Sequence, residues 1–188
     1  MPSPAPNPAA TAPGAPPRVA DVDLTALRSA VARARADPFA GDPLPAPARR
    51  ARKLARDIHD GQLDRHGRPL LEHVERVAAS VPPSARTVAF VHDVCERSGV
   101  WPGEVAERLD LDGDEREALV LLTKRGREPL LRHVRRVVRA APDPARELAL
   151  VVLQADIEDH AAHATDGDRP YATALAVLAE ATAPLRDR

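Results

Sequence analysis

Ser84-Ala85-Arg86-Thr87-Val88-Ala89-Phe90-Val91-His92-Asp93-Val94-Cys95 is the stretch on which the reading of the fold turns. Its apolar residues are nearly continuous, and Ser84 stands where a helix cap would. The stretch is therefore expected to form a helix buried in the middle of a bundle. His92 and Asp93 lie inside it, and adjacent ionisable side chains in a buried segment need partners, because an unpaired buried charge is costly.

Helical spacing continues on both sides. Leu70, Val74, Val77 and Val81 share one face of a helix over 70–81, which Pro82 and Pro83 end. A helix from about Ala48 through Leu54 and Ile58 to His59 precedes it, with a turn over Arg65 to Pro69 between the two. Asp23 can cap an earlier helix carrying Leu24, Leu27, Val31 and Ala34, which the four prolines and the glycine of 37–47 stop. Further helices are expected over 102–109, 114–122, 129–140, 146–163 and 170–184. No alternating strand pattern and no Asn-Gly hairpin signal occurs, so the expected fold is an all-α bundle.

Composition agrees. The 188 residues suit one domain with a tail, and aromatics make up only 2%, which leaves Ala and aliphatic side chains to fill the core. Lys and Arg number 27 against 28 for Asp and Glu, a formal charge of −1 that argues against general nucleic-acid binding. The single cysteine, Cys95, cannot form an internal disulfide and reads as a small buried hydrophobe. No apolar run reaches the length of a membrane span. Seven prolines fall between Pro2 and Pro17, so residues 1–20 are expected to be a disordered Pro/Ala-rich tail, without the basic and apolar regions of a signal peptide. Residues 21–188 are expected to form a single helical domain in a cytoplasmic protein.

The polar residues set in apolar runs carry the chemistry. His73 follows Leu71-Glu72, His92-Asp93 sits within Val91 to Val94, and Asp156 interrupts Val151 to Ile157. Three helices thus each carry ligand-type side chains inward, although each residue taken singly also fits a satisfied core polar group. Two imidazoles with two carboxylates suit a divalent ion, Mn first, with Fe, Zn or Mg as alternatives.

The motif series His59-Asp60-Gly61-Gln62, Arg65-His66-Gly67-Arg68-Pro69, Glu72-His73, Phe90-Val91-His92-Asp93-Val94-Cys95-Glu96, Leu122-Thr123-Lys124 and Ala155-Asp156 resembles the HD-domain phosphohydrolase superfamily. It is most similar to the hydrolase module of RelA/SpoT-type proteins and their small stand-alone relatives, which remove the 3′-pyrophosphate of (p)ppGpp. The resemblance covers roughly residues 51–163. It implies an HD-type helical domain with His73, His92, Asp93 and Asp156 as metal ligands, and Glu96, one turn beyond His92, acting on the attacking water. It further implies His59, Gln62 and Arg65 near the nucleotide, His59 beside the ligands rather than among them. Arg56, with Arg52, adds candidate phosphate contacts.

The pattern also departs from that family. The second acid after the His-Asp pair is Arg97, which either weakens water activation or binds phosphate. Leu70 replaces a tyrosine, Val74 a proline, Asp64 a basic residue, Ile157 an arginine and His160 an asparagine. His160 lies one turn after Asp156 and can approach the metal or donate to phosphate. Asp159, beside Glu158, is expected to be solvated.

The resemblance therefore implies a metal-dependent phosphohydrolase acting on a small-molecule nucleotide, with ppGpp a candidate substrate. Glu96 and Arg97 are its candidate catalytic residues. The alternative is a degenerate domain that binds metal or nucleotide as a sensor or interaction module. No membrane partner is expected, and a homo-oligomer is left open.

Overall fold

The computed structural model describes residues 37–41, 43–164 and 169–186. The expected tail over 1–20 and the helix led by Asp23 lie outside the described residues.

The fold is all-α. Its helices are α1 (Ala46–His59), α2 (Leu70–Ser80), α3 (Arg86–Val91), α4 (Val94–Ser98), α5 (Pro102–Leu109), α6 (Gly113–Leu122), α7 (Leu130–Val138), α8 (Pro144–Ala162) and α9 (Arg169–Arg186). Among the described residues the only β-type pairing is a single antiparallel bridge between Leu63 and Pro69, in the loop joining α1 to α2. None of the described helices is long and apolar enough to cross a membrane.

Helix starts follow local chemistry. Asp112 caps α6 by accepting from the Glu115 amide at 2.8 Å, while the Glu115 carboxylate accepts from the Asp112 amide at 3.2 Å. Asp143 caps α8 at the Arg146 amide, 2.8 Å away, and Pro144 fills the first turn, where no amide donor is needed. Helix α8 is the spine of the bundle, packed by α2, α6, α7 and α9, and its Ala149, Leu150, Val152, Leu153 and Ile157 are fully buried. A second layer packs α3 against α1 and α2.

Two expectations change here. The helix through Val88 and Cys95 is interrupted at His92-Asp93 rather than continuous. His92 Nδ1 bonds to the Ala89 carbonyl at 2.7 Å, and a side chain that takes up a carbonyl competes with the backbone ladder at that turn. Ser84 does not cap this helix either, since it lies in a 3-10 turn, Pro83–Ala85, that leads into α3 without a side-chain cap.

The Pro-rich stretch after residue 36 is more than a stop signal. Phe39 and Leu44 are buried, and the Phe39 ring lies 5.3 Å from that of Phe90. Arg52 crosses the Phe39 ring at 5.0 Å while pairing with Asp37 at 2.7 Å and Glu75 at 2.8 Å. The segment closes the outer side of α1 and α3.

Candidate metal centre

The bundle brings His73 from α2, His92 and Asp93 from the α3–α4 break, and Asp156 from α8 into one buried cluster, with the half-buried His160 of α8 at its edge. His73 Nε2 is 3.2 Å from Asp156 Oδ1, His92 Nε2 is 3.7 Å from the same oxygen and 3.8 Å from Asp93 Oδ1, and His160 Nε2 is 3.2 Å from Asp156 Oδ1. Candidate ligand atoms of His73, His92 and Asp93, and of His73, Asp156 and His160, lie within 4.8 Å of one another. The break at His92-Asp93 has a use: it aims consecutive side chains into the same space.

The outer nitrogens set the tautomers. His73 Nδ1 faces Asp159 Oδ2 at 2.8 Å, and His92 Nδ1 faces the Ala89 carbonyl at 2.7 Å. Both partners only accept, so each Nδ1 carries the proton and each Nε2 is left for the cluster. His73 Nε2, His92 Nε2 and Asp156 Oδ1 are buried with no hydrogen-bond partner assigned, the His73–Asp156 pair lying 3.2 Å apart as an ion-pair contact. Two imidazole nitrogens and the carboxylate oxygens of Asp93 and Asp156 thus face one space, where a divalent cation could take the place of the protons that the imidazoles carry in its absence.

The electrostatics agree. Burial opposes protonation of His73, yet Asp156 and Asp159 outweigh it and raise the imidazole to about 9. Burial likewise opposes ionisation of Asp156, but the facing imidazoles hold it well below the usual carboxylate range. The position favours positive charge. His160 is shifted the other way: burial lowers it, the Asp156 charge opposes the shift, and the neighbouring His73 charge adds to it.

Asp159 corrects the sequence reading. Its side chain is 11% exposed rather than solvated, and it holds Arg76 by two hydrogen bonds of 2.6 and 2.9 Å in addition to His73. Its place three residues after Asp156, on the same helix face, is the signal that identifies it.

The candidate substrate residues divide. His59 Nδ1 meets Gln62 Oε1 at 3.1 Å, and Gln62 Nε2 donates to the Ile58 carbonyl at 3.0 Å, so a buried, unpartnered His59 Nε2 remains. Burial lowers the His59 pKa, and Asp93 and His92 are near enough to act on it. Arg65 joins the centre through a stack: its guanidinium is 5.2 Å from the Tyr171 ring, Tyr171 is 5.6 Å from His160, and His160 is 4.5 Å from His73. Tyr171, far along the chain on α9, had no local signal in the sequence. Arg56 is instead held by Glu75 at 2.9 Å, alongside the Arg52 network.

Glu96 accepts from the Lys124 amide at 2.8 Å and lies 3.3 Å from Lys124 Nζ. Burial opposes the charge on Lys124, but Glu96, Asp156 and Asp93 together raise its pKa. Lys124 is thus a cation beside the cluster, given no role by the sequence reading. Arg97 Nε stands 3.8 Å from Asp93 Oδ2 with its side chain 43% exposed.

The altered positions are structural. Asp64 accepts from the His66 and Arg68 amides at 2.8 and 2.9 Å, which shapes the loop around Gly67. Gly67 has a φ of +77°, a conformation that favours glycine. Leu70, Val74 and Ile157 are fully buried.

In comparisons with known proteins, no family model matches the chain and no curated protein matches it significantly.

Proposed function

We propose that the protein is a metal-dependent phosphohydrolase of HD type that cleaves a phosphoester or pyrophosphate bond in a nucleotide, with a guanosine polyphosphate such as ppGpp the first candidate. One observation carries the reading: His73 and His92 are both locked with Nδ1 protonated, and both Nε2 atoms turn toward the Asp93 and Asp156 carboxylates. Histidine ligands of metals are characteristically fixed by such outer hydrogen bonds.

His73, His92, Asp93 and Asp156 would hold the ion, with His160 at its edge. Their mixed nitrogen and oxygen donors suit Mn, Fe or Zn, and Mg less well. A divalent ion there supplies Lewis acidity toward a phosphoryl group and an attacking water. Glu96 would be the carboxylate that accepts a proton from the attacking water, a role open to a group beside the cluster. Lys124 and Arg65 bind phosphate oxygens, and His59 Nε2 accepts a hydrogen bond from water or substrate.

A second reading, binding without turnover, is favoured by the state of Glu96, whose carboxylate is already engaged by Lys124. The deciding experiment is metal analysis of the purified protein, then phosphate and pyrophosphate release from a nucleotide panel that includes ppGpp with added Mn. Turnover lost in both His92→Ala and Glu96→Gln supports the hydrolase. Bound metal without turnover across the panel favours the sensor, and absence of metal binding defeats both.

A further inference from the structure

A second feature of the molecule lies apart from the His/Asp cluster. Residues 124–139 hold seven basic side chains and one acid, Glu128, in a chain whose formal charge is −1. Six of them, all arginines, line a cavity of about 720 Å³ alongside α7, and none of its lining residues belongs to the cluster.

Arg132, Arg135, Arg136 and Arg139 follow the spacing i, i+3, i+4 and i+7, so one face of α7 carries four guanidinium groups, and Arg125 and Arg127 approach from the preceding loop. Like charges at these spacings destabilise a helix. The one carboxylate present offers little relief, because Glu128 is occupied by Arg136 at 3.0 Å. Among the described residues no carboxylate pairs with Arg125, Arg127, Arg132, Arg135 or Arg139, all of which are exposed.

We propose that this cavity is a binding site for a small oligophosphate anion, such as the phosphate chain of a nucleoside polyphosphate or an inorganic oligophosphate. Several guanidinium forks converge there, the geometry that binds successive phosphates bidentately. The volume is that of a small-ligand site. The lining contains no aromatic ring, so there is no platform for stacking bases, which single-stranded nucleic-acid sites use.

The site also has a route to the cluster. Arg136 donates to the Leu121 and Thr123 carbonyls, both at 3.1 Å, and the next residue, Lys124, holds Glu96. An anion that draws on Arg136 acts on the segment that positions Glu96.

The test is calorimetric titration of the full chain with inorganic tripolyphosphate in a chelating buffer, which keeps any metal-held phosphate out of the signal. Saturable one-to-one binding that weakens with salt is expected. It should fall at least tenfold in Arg132→Ser/Arg135→Ser/Arg139→Ser, whose exposed substitutions leave the helical circular dichroism unchanged. No saturation up to about 1 mM, or equal affinity in the variant, overturns the proposal. So does tighter binding of a twelve-nucleotide RNA through the same arginines, which would make the surface a nucleic-acid face. Because no metal is required, failure here leaves the hydrolase reading standing, and success does not establish it.

Discussion

The Asp159 carboxylate accepts the Nδ1 proton of His73 at 2.8 Å, and that bond turns His73 Nε2 toward Asp156, 3.2 Å away on the opposite side of the ring. One residue of α8 thereby orients a side chain of α2 toward another residue of α8. The bond gives the cluster its directionality, since a freely rotating imidazole would offer either nitrogen.

Asp159→Asn should therefore weaken Mn binding by roughly 10–100-fold without removing a ligand atom. An asparagine still reaches Arg76 but can present an N–H to His73 and permit the wrong tautomer. Competition titration against a metal-sensitive dye measures this, and unchanged affinity would separate Asp159 from the centre.

Acid stability tests a different part of the bundle. His133 is buried on α7 with Arg136 donating to its Nδ1 at 2.8 Å. Burial first, then the charges of Lys124 and Arg136, lowers its pKa from 6.5 to about 4. The unfolded chain takes up a proton across that window while the folded chain does not, so stability is full above 6.5 and declines as pH falls toward 4. His133→Asn keeps an acceptor for Arg136 and should remove a contribution on the order of 1–3 kcal/mol from that slope. Urea unfolding of both proteins at pH 7 and pH 4.5 measures the difference.

Glu128 acts at lower pH. Hydrogen bonds from Arg136 hold its carboxyl down to about 2 against an ordinary 4.5, so its contribution is present above 4.5 and is lost as pH falls toward 2. Glu128→Gln is expected to lower the melting temperature at pH 7 and to change it little near pH 2. Equal losses at both values would mean that the carboxylate charge is irrelevant.

The helices were legible because apolar periodicity and proline punctuation are local: 102–109 and the start at Leu70 agree with the structure to the residue. His73, His92, Asp93 and Asp156 stood out because each interrupts an apolar run, and the bundle does bring them together. The break at His92-Asp93 was hidden because it involves a side chain competing for one carbonyl, which hydrophobic spacing does not register. Asp159 was masked by its neighbours, since an acidic run reads as solvent-facing until the helix phase is fixed by Asp156. Phe39 and Leu44 were hidden by prolines that end a helix without saying what the next segment covers. Tyr171 depends on α9 returning to α8, a tertiary fact.

Core packing and the site share α8. Leu153→Ala deletes a buried side chain one turn before Asp156 and should cost about 2–5 kcal/mol in urea unfolding. Metal affinity is expected to fall less than in Asp159→Asn, because the donor atoms and their outer bonds remain. The reverse order would show that backbone placement, rather than tautomer control, limits binding.

Glu96 and Lys124 give the sharpest separation between hydrolysis and binding alone. If Glu96 takes the proton of the attacking water, Glu96→Gln should lower kcat by roughly 10²–10⁴-fold while metal content and KM stay close to wild type. The amide preserves an acceptor for the Lys124 N–H, so the loop over 123–125 keeps its place. Lys124→Met removes a cation that would meet substrate phosphate and should act mainly on KM. Steady-state kinetics on the best substrate of the panel, with metal content measured on each variant, resolves the two effects. If Glu96→Gln retains full kcat, the carboxylate only anchors Lys124, and the proton must leave by another group, with His59 Nε2, a buried and unpartnered nitrogen outside the candidate ligand set, the one to examine next.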